Sequence, residues 1–318
     1  MTANAAKPMT VYWVEAFTQV AFSGNPAGVV TQADGLTETQ MQQIAREVNC
    51  SETAFLTQPS HAEADLRLRW FTPTTEVDLC GHATVAAMHV LANEGRFSLK
   101  VGATQILYVE TRSGILAVTV DYTNPEGPWI WLTLPTCQFQ PLSAAIAEKL
   151  HSLLGLSSTV DNRAPVIDSL NQDVLVAVES LAQLHSLKPN FTELAALGTN
   201  QGWRGICAYT TQTLDPRSAA HSRFFAPQYG ILEDPVTGSV SGPLALYLQQ
   251  SQQLKPLALT QPLLGGLSVD QDNTNSLRIT LEQGDCLGRQ GRVVIDLTSS
   301  HPKLGGQAII VMRGELYL

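Results

Sequence analysis

The sequence predicts an α+β fold of two similar, pseudo-symmetric domains, each a curled mixed sheet around a buried central helix. Three observations lead there. Strand-length apolar runs outnumber helical ones and are separated by Gly, Pro and Asn turns. One pattern occurs twice: Arg69-Trp70-Phe71-Thr72-Pro73 precedes Cys80-Gly81-His82, and Arg223-Phe224-Phe225-Ala226-Pro227 precedes Thr237-Gly238-Ser239. Each copy then enters a helical stretch with little polar surface, Ala83 to Gly95 in the first and Val240 to Leu248 in the second. A helix that is apolar all round has to be buried. The copies lie roughly 150 residues apart, the spacing of a duplicated domain and not of a short solenoid repeat.

In chain order, Thr10 to Phe17 is rich in Val, Tyr, Trp and Phe and predicts an opening strand. Phe22-Ser23-Gly24-Asn25-Pro26-Ala27-Gly28-Val29-Val30 is a turn entering a second strand, read as a hairpin loop or as the backbone wall of a pocket. Thr37 to Val48 is a helix with a capping box at Thr37 and Gln40 and an apolar face of Met41, Ile44, Ala45 and Val48. Strands follow from Thr53 to Leu56 and from Asp65 to Phe71, and after the first central helix a hairpin joins Gln105–Thr111 to Gly114–Tyr122. Thr123-Asn124-Pro125-Glu126-Gly127-Pro128 is the linker. It sets the expected domains at 9–124 and 125–304, with a last strand at about 305–318 packing back on the first. The second half offers strands at Trp129–Leu134, Asp173–Val178, Gly205–Thr210 and His221–Phe225, and helices at Ser143–Leu154 and Leu187–Ala196. Late strands are expected at Leu277–Glu282, Val293–Leu297 and Ala308–Arg313. Gly265-Gly266 and Gly305-Gly306 lack the strand–GxGxxG–helix setting of a dinucleotide site and read as turns.

Composition narrows the function classes. The chain has 318 residues, 44% hydrophobic and 15% charged, enough for two cores. A net charge of −9 without a basic run argues against nucleic acid. No apolar stretch reaches membrane-spanning length, and Met1 to Pro8 lacks the apolar core of a signal peptide. It reads as a tail or as an alternative start before Met9. The five cysteines, Cys50, Cys80, Cys137, Cys207 and Cys286, are odd in number and free of CxxC pairs. That pattern fits reduced thiols in a cytoplasmic protein better than disulfides or a zinc site. Cys80 differs from the others because it opens a helix, where a thiol pKa can fall.

The helix starts are the candidate site. Free N–H groups and the positive end of the dipole make each an anion-binding position, at Cys80-Gly81-His82 and at Thr237-Gly238-Ser239. A pseudo-twofold between the halves would turn both toward one cleft. The plainer alternative is a pair of core helices that these polar residues merely cap. Glu52 sits between Ser51 and Thr53 at the entry to an apolar strand; most glutamates in such positions are solvated surface groups. His82 and His89 do not have the spacing of a metal motif, and His89 reads as core or surface.

Four motifs taken together resemble the PhzF family of phenazine-biosynthesis isomerases. They are Phe22 to Val29 (FSGNPAGV), Ser51 to Phe55 (SETAF), Cys80 to Thr84 (CGHAT) and Glu233 to Ser239 (EDPVTGS), in family order. The resemblance implies a diaminopimelate-epimerase-like fold with the active site between two domains, a homodimer, and neither metal nor organic cofactor. It implies that Glu52 is the acid–base residue, moving a proton between carbons of a small, unsaturated cyclic carboxylate. In the family that compound is trans-2,3-dihydro-3-hydroxyanthranilate. It further implies that His82, Asp234 and Ser239 bind the substrate and tune the transfer, while Gly81, Gly238 and Ser239 present N–H groups to its carboxylate. One departure matters. Epimerases of this fold use a cysteine at the start of each central helix. Here Cys80 fills the first position and Thr237 the second, and threonine cannot serve as that base. PhzF itself tends to carry another residue where Cys80 stands. Cys80 is therefore a relic or a second acid beside Glu52. The alternatives to a PhzF-type isomerase are a one-thiol epimerase using Cys80 and a non-catalytic protein that binds small carboxylates.

Overall fold

The structure, a computed structural model, describes residues 8–124, 126–156, 163–254 and 277–318. Gly265-Gly266 lies outside the described residues. The chain divides into two compact units, one of 1–132 with 305–318 and one of 133–304.

In the first unit, Met9–Ala16 (β1) pairs antiparallel with Ala308–Leu316 (β18) on one side and with Asn25–Val30 (β2) on the other. β2 runs parallel to Glu52–Thr57 (β3), and Glu38–Val48 (α1) makes the crossover. β3 pairs antiparallel with Leu66–Phe71 (β4), which pairs antiparallel with the short Glu76–Val77 (β5). β4 also runs parallel to Thr104–Thr111 (β6), with Gly81–Asn93 (α2) as the crossover. β6 forms a hairpin with Gly114–Asp121 (β7), and Trp129–Thr133 (β8) adds to β7. That last pairing keeps the chain with the first unit through Leu132, beyond the Pro/Gly linker.

The second unit begins with Phe139–Pro141 (β9), Ala144–Leu154 (α3) and Val166–Asp168 (β10). Asp173–Ala177 (β11), Leu181–Ser186 (α4) and Phe191–Gln201 (α5) lead to Gly205–Thr210 (β12). Ala220–Ala226 (β13), Ile231–Asp234 (β14) and Gly238–Gln250 (α6) follow, then Arg278–Gln283 (β15), Gly291–Asp296 (β16) and Lys303–Gly306 (β17). Its pairings repeat those of the first unit in kind and order. β10–β11 is antiparallel, β11–β12 parallel across α5, β12–β13 antiparallel, β13–β14 short and antiparallel, β13–β15 parallel across α6, and β15–β16 antiparallel. The duplicated motif is thus part of a duplicated topology.

Each unit is closed by apolar packing. Met41, Ile44 and Ala45 of α1 meet Val30, Phe55 and Phe71 of the sheet, with the two Phe rings edge to face at 5.5 Å. In the second unit Leu150, Leu184, Leu194 and Leu197 cover Val174, Val176, Ile206 and Phe225. α2 is buried at every residue from His82 through Ala92, and α6 is largely buried as well. The capping box at Thr37 and Gln40 is present.

Two expectations are corrected. The helix expected over Leu187–Ala196 starts later, at Phe191, and runs on to Gln201, because Pro189 interrupts the pattern and Asn190 starts α5 by accepting the Glu193 N–H. Gly305-Gly306 is strand, not turn. A Cβ there would lie 2.4 Å from the Trp131 ring and 2.5 Å from the Phe17 ring, so these glycines admit aromatic side chains against the backbone. Among the described residues, no helix is long and apolar enough to cross a membrane.

Candidate active site

Glu52 is the first residue of β3 and lies opposite Ala27 in the parallel pairing with β2. The preceding residue, Ser51, is held by the Asn25-Pro26 turn: its hydroxyl donates to Pro26 O at 3.2 Å and lies 3.3 Å from Asn25 Oδ1. The FSGNPAGV stretch therefore supports the approach to Glu52. Gly28 permits the close packing behind it, since a Cβ there would lie 2.7 Å from Thr53 Oγ1 and 2.8 Å from Val48 Cγ1.

Cys80 caps α2 in an extended conformation, φ −143° and ψ 112°, and its side chain makes no capping hydrogen bond. Its Sγ lies 3.4 Å from His82 Nδ1. His82 Nε2 lies 3.2 Å from Glu52 Oε2 and 3.2 Å from Ser51 Oγ. Cys80 and His82 are buried, and the Glu52 side chain is 15% exposed. Glu52 Oε2 is shielded from solvent without a well-directed hydrogen bond. A carboxylate oxygen left in that state is costly, and such groups mark functional sites. At Gly81 a Cβ would meet no atom within 4 Å, so packing does not demand glycine there.

Donor atoms of Glu52, Cys80 and His82 all lie within 4.8 Å of one another. A chelate would direct one imidazole nitrogen and both other donors at a single point. Here the two ring nitrogens face different partners, which is the geometry of a chain and not of a metal cage.

In the second unit Thr237 caps α6. Its N–H donates to Gln283 Oε1 at 3.1 Å and its hydroxyl donates to Asp234 Oδ2. Gln283 Nε2 also donates to Asp234 O at 2.8 Å, tying β14 to the helix start. Ser239 Oγ accepts from Arg204 Nη1 at 2.9 Å, and Ser239 O accepts from Asn171 Nδ2 at 3.0 Å. The second bond has a sequence cause. Pro243 stands four residues after Ser239 and has no N–H, so the Ser239 carbonyl loses its helical donor and Asn171 supplies one. Arg204 is itself paired with buried Asp173, whose N–H donates to Asp168 Oδ2 at 3.1 Å. Burial pushes the Asp173 carboxyl up to about 6, with Arg204 opposing and Asp168 assisting.

The structure brings Glu52, Cys80, Gly81 and His82 together in the first unit, and Asp234, Thr237, Gly238 and Ser239 together in the second. Sequence reading missed Ser51, Asn171, Arg204 and Gln283. An isolated Arg or Gln beside an apolar strand carries no local signal of its partner, but Pro243 within a helical run signals that some side chain must reach Ser239 O.

The repeated register exposes an asymmetry. β2–β3 places Ala27 opposite Glu52, and β11–β12 places Asp173 opposite Gly205. The residue before each strand touches the second residue of the following central helix: Ser51 meets His82, and Arg204 meets Ser239. Gly205 is thus the counterpart of Glu52. A Cβ on Gly205 would lie 2.1 Å from Phe224 Cζ, so that position has no room for a side chain.

A family model described as phenazine biosynthesis-like protein, PhzC-PhzF, matches residues 14–314. The chain belongs to the PhzF-type isomerase family. It is 35% identical over 317 residues to an uncharacterized isomerase of Clostridium acetobutylicum, covering 97% of this chain and 98% of that one. The crystal structure of a Bacillus anthracis phenazine biosynthesis protein of the PhzF family superposes with a TM-score of 0.81 at 31% identity, over 98% and 100% of the two chains. A predicted epimerase of Pseudomonas aeruginosa shares the fold, with a TM-score of 0.76 at 21% identity over 97% and 99%. The architecture is therefore that of the epimerases and racemases as well as of PhzF.

Proposed function

We propose that this PhzF-family protein moves a proton between carbons of a small cyclic, unsaturated amino or hydroxy carboxylate, with Glu52 as the acid–base group. The observation that carries the reading is the asymmetry between Glu52 and Gly205. A duplicated framework with a carboxylate on one copy and a closed glycine position on the other suits removal and return of a proton by one group. Glu52 takes the proton from an sp³ carbon and delivers it elsewhere on the same face. His82 beside it steadies the charge that moves on and off the carboxylate. The N–H group at Gly81, at the start of α2 beside Glu52, is assigned to the substrate carboxylate. Carbon-to-carbon proton transfer asks for no redox group. The test is deuterium wash-in to a panel of small cyclic carboxylates: the protein should label one of them, and Glu52→Gln, with an unchanged melting curve, should not.

A second reading, a one-thiol epimerase using Cys80, is favoured by the 3.4 Å approach of Cys80 Sγ to His82 Nδ1. Its weakness is that Thr237, at the matching helix start, offers a hydroxyl already donated to Asp234. Full activity in Cys80→Ala would exclude it.

A further inference from the structure

We infer that Glu52 and Cys80 share one mobile proton through the His82 ring, so that the thiol is a second proton reservoir for the acid–base group. The inference rests on the reading of Glu52 as that group. It is carried by the order of three side chains, Cys80 and His82 buried and Glu52 partly so: Sγ of Cys80 lies 3.4 Å from Nδ1, and Oε2 of Glu52 lies 3.2 Å from Nε2, close enough that a small turn of the carboxylate brings it into line. An imidazole with a different acid at each nitrogen transmits a proton by exchanging tautomers.

The balance is simple. In one state Glu52 is a carboxylate, Nε2 carries the ring proton and Cys80 is a thiol. The thiol proton passes to Nδ1 while the Nε2 proton passes to Oε2. In the other state Glu52 is a carboxylic acid, Nδ1 carries the ring proton and Cys80 is a thiolate. No proton is gained or lost, the imidazole is neutral in both states, and the net charge is constant. Glu52 is thus a base when the mobile proton rests on sulfur and an acid when it has left sulfur.

Three features of the surroundings favour both states. Cys80 occupies the N-cap of α2 but does not spend its side chain on capping, and the helix start stabilises a thiolate there. Ser51 Oγ lies 3.2 Å from Nε2 and can donate to that nitrogen when it is bare. The buried length of α2 behind His82 holds the ring in place. Among the described residues, the start of α6 has no such chain, because Ser239 stands where His82 does and the Thr237 hydroxyl is bound to Asp234.

The test needs no substrate. The full-length protein with Cys286→Ser, which removes the exposed thiol, is treated with iodoacetamide at neutral pH, and Cys80 alkylation is followed by peptide mass. Glu52→Gln is nearly isosteric and cannot accept the proton, and His82→Asn interrupts the chain. Both should slow alkylation of Cys80 about tenfold, since only the thiolate reacts. Glu52→Asp keeps a protonatable group and should recover part of the rate. Because Gln matches Glu in size, access to the sulfur is the same in the decisive pair. Near-ultraviolet circular dichroism shows whether His82→Asn is folded; if it is not, the Glu52 pair decides alone. An alkylation rate unchanged or raised by Glu52→Gln overturns the inference. This outcome is separate from the failure of the isomerase reading, which would show as turnover surviving Glu52→Gln whatever the thiol does.

Discussion

His82 Nε2 lies 3.2 Å from Glu52 Oε2, joining the first turn of the buried α2 to the first residue of β3. The contact depends on the local chain at both ends. The extended N-cap at Cys80 sends α2 off so that His82 turns back toward the sheet, and the Asn25-Pro26 turn fixes Ser51 just before Glu52.

Ser51 should therefore matter out of proportion to its size. Ser51→Ala removes the hydroxyl that spans Pro26 O and His82 Nε2 and leaves Glu52 in place. One hydrogen bond of about 1 kcal/mol corresponds to about a fivefold loss of turnover. Steady-state rates on the substrate labelled by the wild type, with a melting curve as control, check this.

The Glu233 carboxylate should be worth more to folding than Glu76, its counterpart in the first unit. Arg223 pairs with Glu233 at 2.9 and 2.7 Å, both side chains are largely buried, and Arg223 also donates to Leu184 O and Leu187 O. Glu233→Gln leaves that guanidinium without a carboxylate, a loss of about 3–5 kcal/mol. After Glu76→Gln, Arg69 still has Glu38 at 2.8 Å. Urea unfolding of the two variants should rank them in that order.

Gly205 is a packing glycine. Gly205→Ala drives a methyl into Phe224 and should lower stability by about 1–3 kcal/mol. Adding Phe224→Leu should return part of the loss, a coupling that a double-mutant cycle in urea measures.

His89 predicts an acid-side slope. Burial holds its imidazole down to about 4, from an ordinary 6.5, and its Nδ1 has no hydrogen-bond partner. The folded chain then binds fewer protons than the unfolded chain between these values. Stability from this residue is complete above 6.5 and is lost as pH falls from 6.5 through 4, in all about 3 kcal/mol. Urea midpoints at several pH values should fall over that window in the wild type and fall less in His89→Met.

Much of this organisation was legible in the sequence because it is written in local patterns. Periodicity marked α1 and its capping box, and the absence of a polar stripe marked α2 as buried. The repeated Arg-aromatic-Phe-small-Pro run marked the duplication, since each Arg pairs with a Glu on the next short strand. What could not be read depends on approach in space. Gly305 and Gly306 looked like turn residues until the rings of Trp131 and Phe17 were placed over them. Arg204 looked like any arginine beside a strand, although it holds Ser239. Glu52 and Cys80 were each visible, but their connection through one ring follows only from the backbone angles at residue 80.

The most direct test of the central claim is to offer the wild type and Glu52→Gln trans-2,3-dihydro-3-hydroxyanthranilate in D₂O, following its ultraviolet band and its mass. On this compound or on another small cyclic unsaturated carboxylate, the account predicts gain of deuterium with the wild type and a rate at least about a hundredfold lower with a folded Glu52→Gln protein. A Glu52→Gln protein that converts the compound at the wild-type rate would contradict it.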